Sequence, residues 1–216
     1  MENDVKEFLK ALQKKLKTID YIKTEDIPNI GLYMDQVTTF MDEQLAASKR
    51  YESDKILTKT MINNYAKNNL LPSPDKKKYS KEHVLTLLFI YYFKNILSIN
   101  DIRSILNPLT EKYFGNDDGF TMQDVYTEVF SLEAEESKKL LKDLGKKYKI
   151  AGETFEDFPD EDQKFLHTFS FICMLSFDVY IKKMLIERMI DNLNEEEASS
   201  HENTHSGKES KKTGSK

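Results

Sequence analysis

A single cysteine, Cys173, stands among 216 residues, so the chain can form no internal disulfide and no cysteine-rich metal site, and a reducing compartment suits it. Seven glycines and five prolines are too few for the dense turns of an all-β fold. Long apolar runs are missing as well. The uninterrupted stretch Phe171–Leu175 is far short of the ~18 residues of a membrane span, and His167 and Asp178 interrupt its surroundings. The opening MENDVKEFLK has neither the basic segment nor the apolar core of a signal peptide, which leads us to expect a cytoplasmic protein with no membrane association. Catalytic signatures are scarce too: there is no Gly-rich phosphate loop, and no Ser or Cys nucleophile motif surrounds His83, one of the four histidines. His83 reads as a capping or surface residue, and Cys173, between Ile172 and Met174, as a buried inert thiol. His201 and His205 lie in a polar tail with nothing to orient them as metal ligands. We therefore expect no catalytic residue, no cofactor, no metal and no enzyme.

What is present is enough apolar sequence, 39% of residues, to build a sizeable core in one domain or two small ones. The net charge of −5 does not point to nucleic acid, but the window 55–83 reverses it: seven lysines stand against Asp75 and Glu82, a local balance of +5. Acidic flanks around such a window discourage indiscriminate binding.

That window contains the most informative stretch, LTKTMINNYAKNNLLPSPDKKKY at 57–79. Thr58 is a good N-cap, and Leu70, Leu71, Pro72 and Pro74 mark where helix must stop. At 100° per residue, Met61, Ile62, Tyr65 and Ala66 share one side, while Lys59, Thr60, Asn63, Asn64, Lys67 and Asn68 share the other. No carboxylate lies on the polar side, although a merely solvated helix usually mixes Glu and Asp with Lys. Asn pairs bidentately with adenine and Lys neutralises phosphate, so Lys59, Thr60, Asn63, Asn64 and Lys67 are candidates to read the major groove. Lys76, Lys77, Lys78 and Tyr79 come next as a basic wing for phosphates.

Elsewhere the periodicity is helical. Residues 3–18 carry Val5, Phe8, Leu9, Leu12 and Leu16 at three- and four-residue intervals; 19–31, with Pro28 and Gly31, is a connector. A helix is expected from about Leu32, with Val37, Phe40 and Met41 on its apolar stripe, and a loop over 48–55. From Lys81 to about Leu97 apolar residues cover most of the circumference, marking the centre of the core. Ser98 with Asp101 caps a short helix that Pro108 should end, and Thr121 with Asp124 caps another, with a break near Glu133. Gly145, Gly152 and Pro159 punctuate the chain beyond that break. A long helix is expected from Asp160 to about Leu193, carrying more apolar surface than a small bundle needs. Asn194 to Lys216, polar and short of aliphatic residues, should be disordered.

This order of parts resembles the winged-helix DNA-binding domain of MerR-type regulators over roughly 32–106. In that family a helix-turn-helix ending like T-I-R-Y-Y-x-x-x-G-L-L is followed by a wing with a tyrosine, a long apolar helix and a short s-L-x-E-I-x-x-L helix. Met61, Ile62, Asn63, Asn64, Tyr65, Leu70 and Leu71 stand in the first pattern, Tyr79 at the wing tyrosine, and Ser98, Ile99, Asp101, Ile102 and Leu106 in the last. Where the family has Arg and its first Tyr, this chain has Asn63 and Asn64. To about residue 190 the chain also resembles an uncharacterised family of Gram-positive bacterial proteins, domain of unknown function family 1836, in its LYMDQV and LTKTMINNY stretches at 32–37 and 57–65. The resemblance implies an all-α protein with a MerR-like winged helix-turn-helix, a small wing and a C-terminal helical region. The expected divisions are an N-terminal helix and connector (1–31), the winged region (32–112), a C-terminal helical region for dimerisation or an effector (120–193) and a disordered tail (194–216). The expected function is a sequence-specific transcriptional regulator that binds double-stranded DNA as a homodimer, pairing half-sites about one DNA turn apart. The alternative is a protein-interaction module on the same fold that does not bind DNA.

Overall fold

Nine consecutive residues of one helix, His83 to Tyr91, are buried, and the rest of the fold packs around them. The chain, seen here in a computed structural model, is described over residues 7–14, 21–116 and 119–209. The helix of residues 7–14 is α1. Strand β1 (Leu32–Tyr33) leads into α2 (Met34–Gln44), and α3 (Lys59–Lys67) precedes strand β2 (Lys78–Tyr79). Then come α4 (Lys81–Phe93), α5 (Ile99–Tyr113), α6 (Met122–Ser131), α7 (Glu133–Ala151) and α8 (Asp160–Glu209). The architecture is helical throughout, apart from the antiparallel pairing of β1 with β2, Leu32 opposite Tyr79 and Tyr33 opposite Lys78.

α4 has its central place because its sequence is apolar on all sides, so no orientation leaves a face fit for water. Val37 and Met41 of α2, Ile62 and Tyr65 of α3, Ile102 and Leu106 of α5, and Met122 and Tyr126 of α6 close around it. Each such side chain, taken from water, contributes roughly 1.5–3 kcal/mol. The Tyr126 hydroxyl, buried with its ring, donates to the Ile22 carbonyl at 2.9 Å and ties the connector to α6. Farther out, α7 and α8 form a hairpin in which Lys147 bridges Asp143 and Asp178. Phe8 of α1 stacks on Tyr148 of α7 (4.6 Å between ring centres) and meets Phe171 of α8 edge-on at 5.6 Å. His167, the polar interruption in α8, bonds the Thr154 carbonyl through Nε2 at 2.8 Å. No described helix is long and apolar enough to cross a membrane.

The helix starts expected from capping are met. The Thr58 hydroxyl accepts from Met61 N–H at 3.2 Å. Ser98 and Asp101 exchange reciprocal bonds at 3.1 and 3.2 Å, and Thr121 and Asp124 do the same at 2.8 and 3.3 Å. The break near Glu133 is the single residue Leu132 between α6 and α7.

Several boundaries differ from expectation. Leu32 and Tyr33 are strand rather than helix, because β2 offers them a ladder from far along the chain. α4 ends at Phe93, and Lys94 donates to the Ile56 carbonyl at 2.7 Å. Pro108 does not end α5, which continues to Tyr113. The ring removes only the bond to residue 104, and Leu109, Tyr113 and Phe114 beyond it pack on the core, offsetting the ~3 kcal/mol cost of an interior proline. Gly145 lies inside α7, where it gives room to α1: a Cβ there would sit 3.2 Å from Leu9 Cδ1. α8 does not stop at Leu193 but continues as helical backbone to Glu209, since Glu195–Ala198 are good helix formers and no Gly or Pro occurs before Gly207. Of the tail expected to be disordered, residues 194–209 are helical backbone and 210–216 fall outside the described residues, as do residues 3–6 and 15–18 of the expected first helix.

Candidate nucleic-acid interface

α3 carries its apolar residues inward and its polar ones outward, as the 100° spacing requires. Ile62 and Tyr65 are buried, burial raising the Tyr65 phenol pKa, while Lys59, Thr60, Asn63, Asn64, Lys67 and Asn68 are exposed. The first turn has no acidic residue to complement the positive helix end, and the Thr58 hydroxyl accepts from one of its N–H groups.

The end of α3 is built by its asparagines. Asn69 has φ 57°, Leu70 N–H donates to the Tyr65 carbonyl at 2.9 Å, and Asn69 N–H to Ala66 at 3.2 Å, the two bonds of a Schellman close. The Asn68 side-chain amide donates to the Asn64 carbonyl at 2.7 Å. Asn68 and Asn69 thus serve the backbone, and only Asn63 and Asn64 remain as outward-facing amides free of capping duty. Leu70 and Leu71 then enter the core and fix where the chain leaves for the wing.

The segment expected to be a wing is a tight hairpin: Lys78 N–H donates to the Asp75 carbonyl at 2.8 Å across Lys76 and Lys77. Both central residues are left-handed, φ 46° and 65°. Positive φ at both positions defines the turn type that favours Asn-Gly, and placing lysine there costs about 1–2 kcal/mol per residue. Lys76 and Lys77 are exposed, with no ion pair among the described residues. Lys78 is also exposed, but its stem lies over Gly31, where an added Cβ would come within 3.1 Å of Lys78 Cβ, and its ammonium stands 5.6 Å from the Tyr33 ring. Tyr33, half exposed, therefore belongs to the wing, which its place in LYMDQV did not suggest because nothing local announces a strand partner so distant.

Tyr79 is the exception among the expected site residues. Only 4% of it is exposed, its hydroxyl is held above its ordinary pKa by burial, and its ring meets His83 edge-on at 5.5 Å. It is a core residue, because strand alternation turns it inward once Lys78 faces out. His83 is buried too: Nδ1 accepts from Ser80 N–H at 2.9 Å and caps α4, while Nε2 has no partner of hydrogen-bond geometry. Burial lowers its pKa, opposed by the neighbouring Ser73 and Pro72 carbonyls.

α3 and β2 both pack on α2, which holds the two basic segments to one support. All the expected residues except Tyr79 are thereby surface residues of adjoining elements, and the acidic groups of the window are limited to Asp75 and Glu82. Glu82 is turned to the Gly115 amide at 2.8 Å. Among the described residues no group of three His, Cys, Asp or Glu side chains is placed to hold a metal. A family model for a domain of unknown function, DUF1836, matches residues 22–129, which takes in β1, the basic surface, the central helix and nearly all of α6. No curated protein and no solved structure matches the chain.

Proposed function

The chain belongs to the DUF1836 family, and we propose that it is a sequence-specific DNA-binding protein, a bacterial transcriptional regulator with a MerR-like winged helix-turn-helix. α3 enters the major groove, with Asn63 and Asn64 directed at base edges and Lys59, Thr60 and Lys67 at the flanking backbone. Lys76, Lys77 and Lys78 contact phosphates from the wing.

The observation that carries this reading is the wing tip. Two lysines occupy left-handed backbone that asparagine and glycine adopt more easily, and their side chains reach into solvent. Strain kept at a surface turn serves something other than folding, and a polyanion is the partner that makes use of two adjacent ammoniums. A protein-interaction module would have no use for this charge beside an Asn-rich face.

Binding of genomic DNA fragments by the purified full chain tests the proposal. Replacing Lys76, Lys77 and Lys78 together by Ala should weaken binding to every sequence and flatten its salt dependence. Asn63→Ala or Asn64→Ala should cost about 1–3 kcal/mol at the preferred site and leave weak non-specific binding nearly intact. If all three variants bind as the parent does, with the same salt slope, the interaction-module reading replaces this one.

A further inference from the structure

Among the described residues, one buried side-chain nitrogen or oxygen lacks a hydrogen bond, Nε2 of His83. Such an atom in a native core calls for a reason, because it costs stability that another residue would keep. Glutamine would cap α4 from the same position, and phenylalanine would fill the space without a polar atom. Of the three, only histidine changes charge near neutral pH.

The ring is enclosed where the hairpin of residues 72–79 meets α4. Tyr79 stands edge-on to it at 5.5 Å and Phe114, at the end of α5, at 4.7 Å, with the Pro72 and Ser73 carbonyls as polar neighbours. Nδ1 accepts from Ser80 N–H at 2.9 Å and lies 2.8 Å from the Ser80 hydroxyl, so the neutral imidazole carries its hydrogen on Nε2. A second proton can enter only at Nδ1. Taking it ends the Ser80 bond at the base of the hairpin and places a charge where water does not reach. The charged groups on the packed elements are Lys81 and Glu82 of α4, Asp75 and the three lysines of 76–78, and Glu111 and Lys112 of α5. Glu82 is held by Gly115 N–H at 2.8 Å and Lys112 stands over the Tyr113 ring at 5.2 Å, while Tyr79 is a phenol that burial keeps neutral.

Which part yields depends on how firmly each is held. α4 is buried over nine consecutive residues, whereas no residue between Leu71 and Tyr79 is buried and the hairpin joins β1 through two paired positions. Opening there brings the ring to water and leaves the core closed. We infer that His83 is a proton-operated latch: neutral, it holds the 72–79 hairpin against α4, and on taking a proton at Nδ1 it releases the hairpin with the rest of the fold intact. Burial keeps the His83 pKa below its ordinary 6.5, so the latch is closed at neutral pH and opens in acid. The latch does not depend on DNA binding, but it would make the proposed phosphate contacts of residues 76–78 sensitive to pH.

Amide and imidazole NMR of the full chain from pH 7.5 to 5 tests it. The Ser73, Lys78 and Ser80 amide signals should move with the midpoint of the His83 ring, while those of residues 87–91 and the helical circular dichroism stay in place. In His83→Gln, which keeps an acceptor for Ser80 N–H and does not titrate, the three signals should stay still. A ring that remains neutral to pH 5, a ring that titrates without the three amides, or the same movement in His83→Gln would overturn the latch. So would loss of the 87–91 signals at the same midpoint, because the whole fold would then be yielding. In a second arm, binding of genomic DNA fragments should weaken several-fold more between pH 7.5 and 5.5 in the parent than in His83→Gln. An equal change in both would overturn the latch as a control of binding. Absence of DNA binding at either pH would overturn the DNA reading instead, with the amide signals deciding the latch alone.

Discussion

Replacing Lys76-Lys77 by Asn-Gly separates what this turn does for folding from the binding proposed for it. Both lysines have positive φ, 46° and 65°, in a two-residue turn closed by the 2.8 Å bond from Lys78 N–H to the Asp75 carbonyl. Relief of two left-handed lysines is worth about 1–2 kcal/mol each at most. Glycine returns roughly 0.5–1 kcal/mol through the extra freedom of the unfolded chain, and asparagine keeps part of the strain. The net expectation is a variant about 1 kcal/mol more stable, or some 2–4 °C in Tm for a chain of this size. Under the proposed phosphate contacts, loss of the two ammoniums should at the same time lower the slope of log affinity against log salt by about 1.8, at ~0.9 per contact. Urea denaturation and a salt titration of DNA binding on the same preparation read the two effects. A variant less stable than the parent would refute the turn geometry, whereas a more stable one with an unchanged salt slope would refute the phosphate role of Lys76 and Lys77.

The packing has further measurable consequences. Leu88→Ala, at a fully buried position of α4, should cost about 2–5 kcal/mol in urea denaturation. The folded pKa of His83 lies below its ordinary 6.5, so under that value the unfolded chain takes up a proton that the folded chain resists. Stability should therefore hold above about pH 6.5 and fall as pH drops through the window beneath it, with a shallower fall in His83→Gln when Tm is followed from pH 7.5 to 5. Gly145→Phe should displace α1 from the α7–α8 hairpin, seen as early proteolytic loss of the N-terminal segment while the α4 core stays protected. Removal of residues 194–216 should leave Tm unchanged within error, because Ile190 is the last buried residue among those of α8 whose burial is described.

Sequence alone settles the parts of this protein whose physics is local. Thr58, Ser98 with Asp101, and Thr121 with Asp124 announce their helices because a cap and its target lie three residues apart. The apolar circumference of 81–93 requires burial on every side, and the 100° spacing of 59–67 assigns its faces without help from elsewhere. Tertiary structure decides whatever depends on residues far away in the chain. Leu32-Tyr33 is a strand only because Lys78-Tyr79 lies beside it, and that pairing in turn sends Lys78 outward, Tyr79 into the core and the turn between Asp75 and Lys78 into left-handed backbone. Pro108 sits inside a helix because the residues after it reach the core, and Gly145 because α1 lies across it. The four asparagines of the α3 region divide on the same ground. Composition makes them alike, but the place where Leu70 and Leu71 enter the core makes Asn68 and Asn69 the close of the helix and leaves Asn63 and Asn64 facing out.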